Sequence, residues 1–449
     1  MGLCLRWRTA YESEGKIRMI SVSELKDLLE NNKDVSAYEI KDCVNESYQL
    51  FYVMRNLETN RCVNVEELRA EVYVDFDEFR GSSSVTVTSA DDCESVSKKI
   101  AAAVEKAKKA KNPYYPLVSK SENLTKVSDG SCSLTENAKK AADAIFAGEG
   151  QENSQLNATE VFADHDRIHF LNSNGVEHCY DEYSMFYETI PSYDGEKEDV
   201  ELYFSQYNGA PDQEKYSSDI RAALANVKYR YNAVTPADVT IPDNTLIVVQ
   251  GAMLNDVLVN FASELNYNRQ YHKMSHFSIG DRISEVPFDM VLKGEESGVS
   301  NSSPVDGNGI VLKETKVIEQ GVAKAYWGNQ RYGYYLKEEN ITGNYPVAVI
   351  ENYPVISEED NSRPQLVIMN FSSPQLDTTS GYFGGEVRLG LLKTGDTVTP
   401  LTGFSISGNI YEAINTVRFS AETDVVCPGK ESMSVKGPKY MYFDQVKIH

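Results

Sequence analysis

The sequence predicts an α+β protein in which two N-terminal mixed α/β units precede a large, mostly β C-terminal domain. Before residue 232, segments with helical spacing of apolar residues alternate with segments in which every second residue is apolar. After residue 233, short β-branched runs are separated by turn signals about every 8–12 residues. The 449 residues are enough for about three domains of roughly 150 residues each.

The N-terminal α+β domain is predicted over residues 19–115. A helix beginning at Ser23, with this serine as its N-cap, precedes alternating strands and an alanine- and lysine-rich helix over 91–111. Arg80-Gly81 is predicted to be a turn that leads into another strand. The segment Asn112-Pro-Tyr-Tyr-Pro-Leu places the boundary near residue 115, because proline cannot continue a helix.

The central α+β domain is predicted over residues 116–232, and the β-rich domain over residues 233–449. Ser133 and Glu136 have the spacing of a capping box, and Asn172-Ser-Asn-Gly is typical of a hairpin turn. The predicted helices of these two domains cover residues 133–147, about 212–231 and 251–267.

Residues 1–18 are predicted to be an extension, which we expect to be disordered. They contain three arginines but lack the apolar stretch that a secretory signal requires. Met19 is an alternative start of translation, so whether residues 1–18 are made stays open.

Charge and cysteine usage exclude several classes of protein. The net charge of −23 opposes phosphate backbones and anionic lipids, so direct nucleic-acid binding is not expected. No segment has the roughly 18 consecutive apolar residues that a membrane helix needs. Seven scattered cysteines without a Cys-x-x-Cys pair do not indicate a disulfide framework or a zinc ribbon. We therefore expect a cytoplasmic protein.

His272 and His276 are the candidate metal ligands of the C-terminal domain. If the preceding helix continued through them, they would lie about 40° apart on one face, as in zincins. The residue after the first histidine, where a zincin has its catalytic glutamate, is Lys273. The segment lacks that general base, and we interpret the two histidines as structural.

The remaining histidines do not predict a metal site. His165 and His169 lie on a predicted strand, where residues i and i+4 are about 13 Å apart and cannot share a metal ion. His178, on the opposite strand of the hairpin, is interpreted as structural.

Five motifs give the chain a resemblance to a known family. They are Asn112-Pro-Tyr-Tyr-Pro-Leu, Asn172-Ser-Asn-Gly, Trp327-Gly-Asn-Gln-Arg-Tyr-Gly-Tyr-Tyr-Leu followed by Ile341-Thr-Gly-Asn, Gly403-Phe-Ser-Ile-Ser-Gly-Asn, and Gly437-Pro438. Because these motifs occur in this order and at this spacing, the chain resembles the TldD/PmbA family, the modulators of DNA gyrase. These are cytoplasmic bacterial peptidase-type proteins that work as a heterodimer of a metal-bearing and a metal-free subunit.

The resemblance also implies which residues occupy the metal site. In the metal-bearing subunit a His-Glu-x-x-x-His helix is followed after three residues by Gly-Asp, and a cysteine near the C-terminus completes the zinc site. Gly280-Asp281 follows His276 at this interval, which places His276 on the second ligand and Cys427 on the cysteine. Tyr271 then replaces the first histidine, and His272 replaces the glutamate. The likeness implies a metal-free, PmbA/TldE-type subunit that is not catalytic alone, with zinc in its partner and none in this chain.

We therefore expect a component of a peptidase complex that pairs with a metal-bearing TldD-type homologue and processes unfolded or modified peptides. In isolation the chain could form a homodimer. A peptide substrate would add as a strand to exposed sheet edges of the β-rich domain, a mode that tolerates many sequences. The predicted substrate-binding residues are Tyr332, Tyr334, Tyr335, Gly343 and Asn344, although core packing explains the tyrosines equally well.

Two alternatives stay open at this point. The chain could be a metallopeptidase with a rewired zinc site of His272, His276 and Cys427, whose base would be Glu264 or Asp281. It could also be a non-proteolytic interaction protein that binds gyrase or a toxin partner.

Overall fold

The computed structural model of the protein describes residues 20–119, 122–127, 133–196 and 198–449, so the predicted extension 1–18 lies outside it. Its architecture is α+β, which confirms the predicted class. The helices are α1 (Val22–Glu30), α2 (Cys93–Ala107), α3 (Leu134–Ala147), α4 (Gln213–Tyr231), α5 (Gly251–Glu264), α6 (Tyr267–Tyr271), α7 (Gln330–Tyr335), α8 (Glu358–Asn361) and α9 (Ile410–Ala413), with 3₁₀ turns at Pro236–Asp238 and Ile414–Thr416.

The strands of the first half form one nine-stranded sheet, called the first sheet. Its main path runs β4-β3-β2-β1-β6-β7-β5, and β8 and β9 also pair with β7. Its strands are β1 (Ala37–Val53), β2 (Asn56–Phe76), β3 (Phe79–Val87), β4 (Asn112–Pro113), β5 (Leu124–Lys126), β6 (Ser154–Asn172), β7 (Glu177–Tyr193), β8 (Val200–Glu201) and β9 (Phe204–Asn208).

Strands from both predicted N-terminal units lie in this sheet. β1 pairs antiparallel with β2 on one side and with β6 on the other. The boundary predicted near residue 115 therefore falls between strands of one continuous sheet, and the division into domains stays a prediction.

Two pairs of helices cover the first sheet. α1 and α2 pack on β1 to β3 around Leu25, Ile40 and Ile100, whereas α3 and α4 pack on β6 and β7 around Ile145 and Leu224. The apolar periodicity of these helices had indicated such buried faces.

Two details of the N-terminal prediction are wrong. The N-cap of α1 is Ser21 rather than Ser23, and Ser21 forms a capping box with Glu24. β3 already begins at Phe79, so Arg80-Gly81 lies inside a strand and not in a turn. The predicted helix after Ser133 and the hairpin turn at Asn172 are confirmed.

The C-terminal region contains two further sheets. The second sheet has eight strands in the order β19-β22-β10-β15-β16-β18-β23, with β17 on β16, and the third has six in the order β13-β12-β11-β14-β21-β20. The strands are β10 (Leu246–Val249), β11 (Asp289–Lys293), β12 (Thr315–Glu319), β13 (Val322–Ala323), β14 (Val347–Glu351), β15 (Gln365–Leu376), β16 (Tyr382–Thr394), β17 (Thr397–Leu401), β18 (Phe404–Asn409), β19 (Arg418–Phe419), β20 (Thr423–Val426), β21 (Ser434–Pro438), β22 (Met441–Phe443) and β23 (Lys447–Ile448).

Helix α5 lies in the core that the second and third sheets share. Its residues Val257 and Phe261 belong to one buried cluster with Met290 of β11, Phe383 of β16 and Phe443 of β22. Because both sheets hold α5, the residue at its C-terminal end, Glu264, has a fixed position in the interior.

Within the described ranges, no helix is long and apolar enough to cross a bilayer. The thiols of Cys43, Cys62, Cys93 and Cys427 are free. Cys179 is disulfide-bonded, although the spacing of the cysteines did not indicate a disulfide framework.

Candidate functional site

The segment that carries the predicted metal motif is organised by the buried carboxylate of Glu264, which has no exposed surface. Its Oε1 accepts hydrogen bonds from the guanidinium of Arg269 and the hydroxyl of Tyr411, each at 2.7 Å. Its Oε2 accepts from the backbone N–H of His276 at 2.6 Å and the hydroxyl of Ser275 at 3.0 Å. A buried charge is tolerated only when it is paired and hydrogen-bonded, and this group of residues, the Glu264 network, meets both conditions.

Tyr411 joins the network from α9, far along the chain. Burial and the neighbouring Glu264 carboxylate raise the pKa of the Tyr411 hydroxyl, although its contact with Asn260 opposes the shift. The hydroxyl therefore keeps its proton, for which Oε1 of Glu264 and the carbonyl oxygen of Thr378, each at 2.7 Å, are the acceptors. The network thus ties the end of α5 to the segment 269–276 and to α9.

His276 is held by oxygen atoms at both ring nitrogens. Its Nδ1 lies 3.3 Å from Oε1 of Glu264, and its Nε2 lies 3.1 Å from the carbonyl oxygen of Thr379. The ring also packs on Tyr411, with 4.4 Å between ring centroids. Each ring nitrogen of His276 thus lies next to an oxygen atom of the protein that can accept a hydrogen bond.

The predicted helical spacing of the two histidines is wrong. The helix predicted over 251–267 ends at Glu264, and the short helix α6 ends at Tyr271. His272 is the C-cap of α6, and Lys273 has a left-handed φ of 56°, which breaks the helix. The two imidazoles do not lie on one helix face, because Glu264 binds the backbone of His276 and turns the chain back toward α5.

Tyr271 and His272 belong to an aromatic cluster with Tyr332 and Tyr335 of α7. The ring centroid of Tyr271 lies 5.6 Å from that of Tyr332 and 5.1 Å from that of Tyr335. Nε2 of His272 lies 3.4 Å from the hydroxyl of Tyr332. The position that the resemblance assigns to the first zinc ligand is thus filled by an aromatic side chain that packs against other tyrosines.

Helix α7 attaches this aromatic cluster to the segment after α2. The hydroxyl of Tyr335 donates to the carbonyl of Pro113 at 2.5 Å, and Arg331 donates to Oδ1 of Asn112 at 2.8 Å. Two of the motifs that carry the resemblance therefore pack against each other. Of the predicted substrate-binding tyrosines, Tyr335 takes part in this contact and Tyr332 belongs to the aromatic cluster, whereas Tyr334 is 44% exposed.

The predicted loop residues Gly343 and Asn344 have hydrogen-bond partners of their own. Gly343 has a φ of 90° and donates its N–H to the carbonyl of Gly328, and the N–H of Asn344 donates to Oδ2 of Asp306 at 3.1 Å. Asp306 is only 5% exposed, and burial raises its pKa although backbone N–H groups bind its carboxylate. Gly343 and Asn344 are therefore fixed by backbone hydrogen bonds to Gly328 and to Asp306.

Asn344 lines a cavity of 310 Å³ between the first sheet and the C-terminal region, called the junction cavity. The volume is near the lower end of the roughly 300–1,000 Å³ that is typical of small-molecule sites. Lys430 crosses the junction and pairs with Asp164 of β6 at 2.8 Å. The charged groups that line the cavity are Lys41, Asp166, Glu182, Asp306, Lys430 and Glu431.

The donors of the proposed rewired zinc site do not come together. Cys427 is buried among Val299, Val347 and Val349, while Asp281 accepts the N–H of Ser278. In the part of the chain that the structure describes, no three His, Cys, Asp or Glu side chains are grouped so that they could hold a metal ion. Catalytic zinc normally has three protein ligands, so the residues present do not fit a zinc ion.

The other histidines have structural partners. Nε2 of His178 lies 3.0 Å from the carbonyl of Gly309, and its Nδ1 accepts the N–H of Leu124. Burial lowers the pKa of His178, so the neutral ring bridges the first sheet and the C-terminal region. His165 stacks on Tyr183, and His169 contacts Glu177, in agreement with the structural interpretation.

The sequence did not indicate Arg269 or Tyr411, and it offered Glu264 only as an alternative base. The carboxylate of Glu264 lies 3.3 Å from His276, but both of its oxygens already accept hydrogen bonds from the protein. A signal was present, since Glu264 interrupts the apolar face of α5 between Phe261 and Leu265. A charged residue on a buried helix face implies a partner, which the sequence does not name.

Three solved structures share this architecture over almost the whole chain. TldE from Thermococcus kodakarensis is 16% identical, with a TM-score of 0.75, over 95% of this chain and 99% of that one. A protein from Thermotoga maritima, described as a modulator of a DNA gyrase, is 14% identical with a TM-score of 0.74, over 96% and 100% of the two chains. One from Bacteroides thetaiotaomicron, described as a modulator of DNA gyrase, is 15% identical with a TM-score of 0.71, over 95% and 97%.

At these identities the likeness to solved structures concerns the fold, and the match to a family model lies in the C-terminal part of the chain. Residues 242–449 match the PmbA/TldA metallopeptidase C-terminal domain, so fold and sequence together define a metallopeptidase-related protein. No curated protein of similar sequence is found. Residues 242–449 of the chain belong to the PmbA/TldD family.

Proposed function

We propose that this chain is the metal-free subunit of a PmbA/TldD-type peptidase complex and pairs with a zinc-bearing homologue as a heterodimer. The Glu264 network is the observation that supports this proposal. It holds the motif segment with protein donors and acceptors alone, so this region needs no ion to be ordered.

The chemistry of amide hydrolysis also supports the assignment of this chain as the metal-free subunit. Hydrolysis at zinc needs a metal-bound water of lowered pKa and a base that takes its proton. The carboxylate nearest the motif, Glu264, already accepts from Arg269, Tyr411 and the backbone of His276. Such a carboxylate has no free oxygen for water, and the cleavage step is therefore assigned to the partner.

The role of this subunit in the proposal is to close a chamber that holds an unfolded or modified peptide. The end strands of the second and third sheets limit how a peptide can pair with them. β13, β19 and β23 have two residues each, and β20 has four. Strand addition at these edges would be brief, so side-chain contacts must contribute to peptide binding.

Elemental analysis and a cleavage assay on the isolated chain, on a zinc-bearing homologue and on their mixture test the proposal. We expect no stoichiometric zinc and no cleavage with the isolated chain, and chelator-sensitive cleavage with the mixture. His272→Ala in this chain should leave the mixed activity unchanged, as should the matched control Lys273→Ala. Alanine at a zinc-ligating histidine of the partner should abolish it.

Two outcomes would contradict the proposal. Stoichiometric zinc in the isolated chain, with chelator-sensitive cleavage that His276→Ala removes, would establish the rewired metallopeptidase instead. Recovery of gyrase on this chain, without any peptidase homologue and without cleavage by any mixture, would support the interaction protein.

A further inference from the structure

We propose that the junction cavity binds a primary ammonium group, supplied by the N-terminus of a peptide or by a lysine side chain. The site lies between the first sheet and the C-terminal region, away from the Glu264 network. The inference concerns the isolated chain and does not depend on which subunit carries zinc.

Two carboxylates face each other across the strands that form one wall of the cavity. Asp166 of β6 is the direct antiparallel partner of Glu182 of β7, and both line the cavity. Side chains directly opposite in such a pair have Cβ atoms about 4.5–5.5 Å apart, and like charges at this spacing repel each other. A cation between them would remove that repulsion.

The lysines of the cavity do not fully supply this cation. Lys430 is closest to Asp164, at 2.8 Å, and lies 3.7 Å from Oδ2 of Asp166. Burial raises the pKa of Glu182, although a hydrogen bond from Ser303 and the charges of Lys41 and Lys430 act in the opposite direction. The lining of the cavity holds four carboxyl groups, Asp166, Glu182, Asp306 and Glu431, against the two lysines.

A buried hydroxyl next to this wall also lacks a partner. Ser300 lines the cavity, is only 4% exposed, and its Oγ has no hydrogen-bond partner among the described residues. Buried polar groups in native proteins are almost always hydrogen-bonded, so an unpaired hydroxyl at a cavity indicates an absent donor or acceptor. An ammonium group has three donors, which suits two carboxylates and one hydroxyl oxygen.

The size and polarity of the cavity favour a compact ligand. A volume of 310 Å³ holds an amino-acid-sized group but not a folded partner. Lys41 and Lys430 lie in the same lining, so a carbonyl or carboxylate beside the ammonium group would find a cationic partner. The N-terminal residue of a peptide and the end of a lysine side chain both have these dimensions.

Isothermal titration calorimetry of the full chain with three small probes tests the proposal. Glycinamide carries an α-ammonium group, Nα-acetyl-lysinamide carries only the side-chain ammonium group, and N-acetylglycinamide is neutral. We expect at least one of the two amines to bind at one site per chain, and N-acetylglycinamide not to bind. Binding of glycinamide alone identifies a peptide N-terminus as the ligand, and binding of Nα-acetyl-lysinamide alone identifies a lysine side chain.

Substitutions in the wall decide whether the binding is specific to the cavity. Glu182→Gln should weaken amine binding at least about tenfold, since it removes a charge-assisted hydrogen bond, and Ser300→Ala should weaken it severalfold. Glu58→Gln makes the same charge change at an exposed residue of β2 and should have no effect. Circular dichroism spectra and melting temperatures check that the variants fold.

The proposal is wrong if neither amine binds at millimolar concentration, or if neutral N-acetylglycinamide binds as well as glycinamide. It is also wrong if Ser300→Ala and a folded Glu182→Gln both bind like the unchanged chain. Equal weakening by Glu58→Gln would show general attraction of cations by the acidic protein and would likewise overturn it.

Discussion

The buried carboxylate of Glu264 is bound by the side chains of Arg269, Ser275 and Tyr411 and by the backbone N–H of His276. We predict that Glu264→Gln lowers the free energy of unfolding by about 3 kcal/mol, because it leaves the buried guanidinium of Arg269 without its anionic partner. The measurement is thermal denaturation by calorimetry. Glu94→Gln, in the exposed pair with Lys98, is the control and should cost less than about 0.5 kcal/mol. Equal effects of both changes would show that the Glu264 network is not a stabilising unit.

Glu39 of β1 is a second buried carboxyl with a different consequence. It is 8% exposed and accepts a hydrogen bond from Tyr73 at 2.7 Å. Burial raises its pKa from 4.5 to about 8, with a further contribution from the neighbouring Asp306. Between these two pH values the folded state binds more protons at Glu39 than the unfolded state does. The contribution of Glu39 to the free energy of unfolding is therefore fully present below pH 4.5 and is lost as the pH rises toward 8.

We predict that Glu39→Gln makes the stability of the protein less dependent on pH. The amide oxygen of glutamine can still accept from Tyr73, but the group no longer titrates. The unchanged chain should lose up to about 1.4 kcal/mol per pH unit at Glu39 across this range, and the variant should lose less. Melting temperatures at a series of pH values between about 5 and 8 measure this difference. Parallel curves for the variant and the unchanged chain would show that Glu39 is already ionised in the folded protein.

At the scale of elements, Gly81 sets how closely α2 approaches the first sheet. A Cβ atom at this position would lie 1.8 Å from the carbonyl oxygen of Ala107 and 2.8 Å from that of Ala110. Both contacts are with backbone atoms, so the helix itself would have to move. The sequence assigned Gly81 to a turn, because a glycine in a turn and a glycine at a close backbone contact give the same local signal.

We predict that Gly81→Ala destabilises the protein by about 2–3 kcal/mol through overpacking. Gly429→Ala is the matched control, since the nearest atom to its added Cβ is 4.0 Å away. Melting temperatures of the two variants measure the difference. If Gly81→Ala melts like Gly429→Ala, α2 does not pack closely on β3 in solution.

Helix α7 joins two distant parts of the chain through Tyr335. We predict that Tyr335→Phe costs about 1 kcal/mol, because the carbonyl of Pro113 loses its donor. Hydrogen exchange should become faster in the segment 112–118. Tyr334→Phe is the control, and since Tyr334 is exposed it should change neither quantity. Unchanged exchange in Tyr335→Phe, together with weaker cleavage by the mixed complex, would favour the substrate-binding role that the sequence predicted for this tyrosine.

The elements that the sequence predicted well are those with local causes. Ser133 and Asp212 cap α3 and α4, and the turn after Asn172 pairs β6 with β7. The break between α5 and α6 could not be predicted in this way. It depends on Glu264 binding the backbone of His276 and on Tyr411, 147 residues further along the chain. Local periodicity cannot show a hydrogen bond between such distant residues.

At the scale of the whole molecule, the same limit explains what the motifs could show. Their order revealed the family, but not that Asn112-Pro-Tyr-Tyr-Pro and the tyrosines of α7 contact each other. The junction cavity was not predicted either, because its walls come from β6 and β7 of the first sheet and from loops more than a hundred residues later. Composition and periodicity thus predicted the helices and strands. The sites at which distant parts of the chain meet could be identified only from the structure.

Helix α4 connects the two halves of the molecule through its buried residues. Leu224 packs in the core of the first sheet, whereas Val227, one turn later, packs in a cluster with Leu246, Val367 and Leu389 of the second sheet. The core therefore crosses the boundary predicted at residue 232. A helix shared by two cores couples them, so we expect the first sheet and the C-terminal region to unfold together.

We predict that Val227→Ala lowers the stability of the whole molecule by about 2 kcal/mol, because Val227 is fully buried and the smaller side chain leaves a cavity. Lys228→Ala is the matched control at the next, exposed position and should cost less than about 0.5 kcal/mol. Differential scanning calorimetry of the unchanged chain should show one main transition, and Val227→Ala should shift it as a whole. If the unchanged chain shows two well-separated transitions and Val227→Ala moves only the later one, the halves are independent folding units, and the boundary near residue 232 separates their cores.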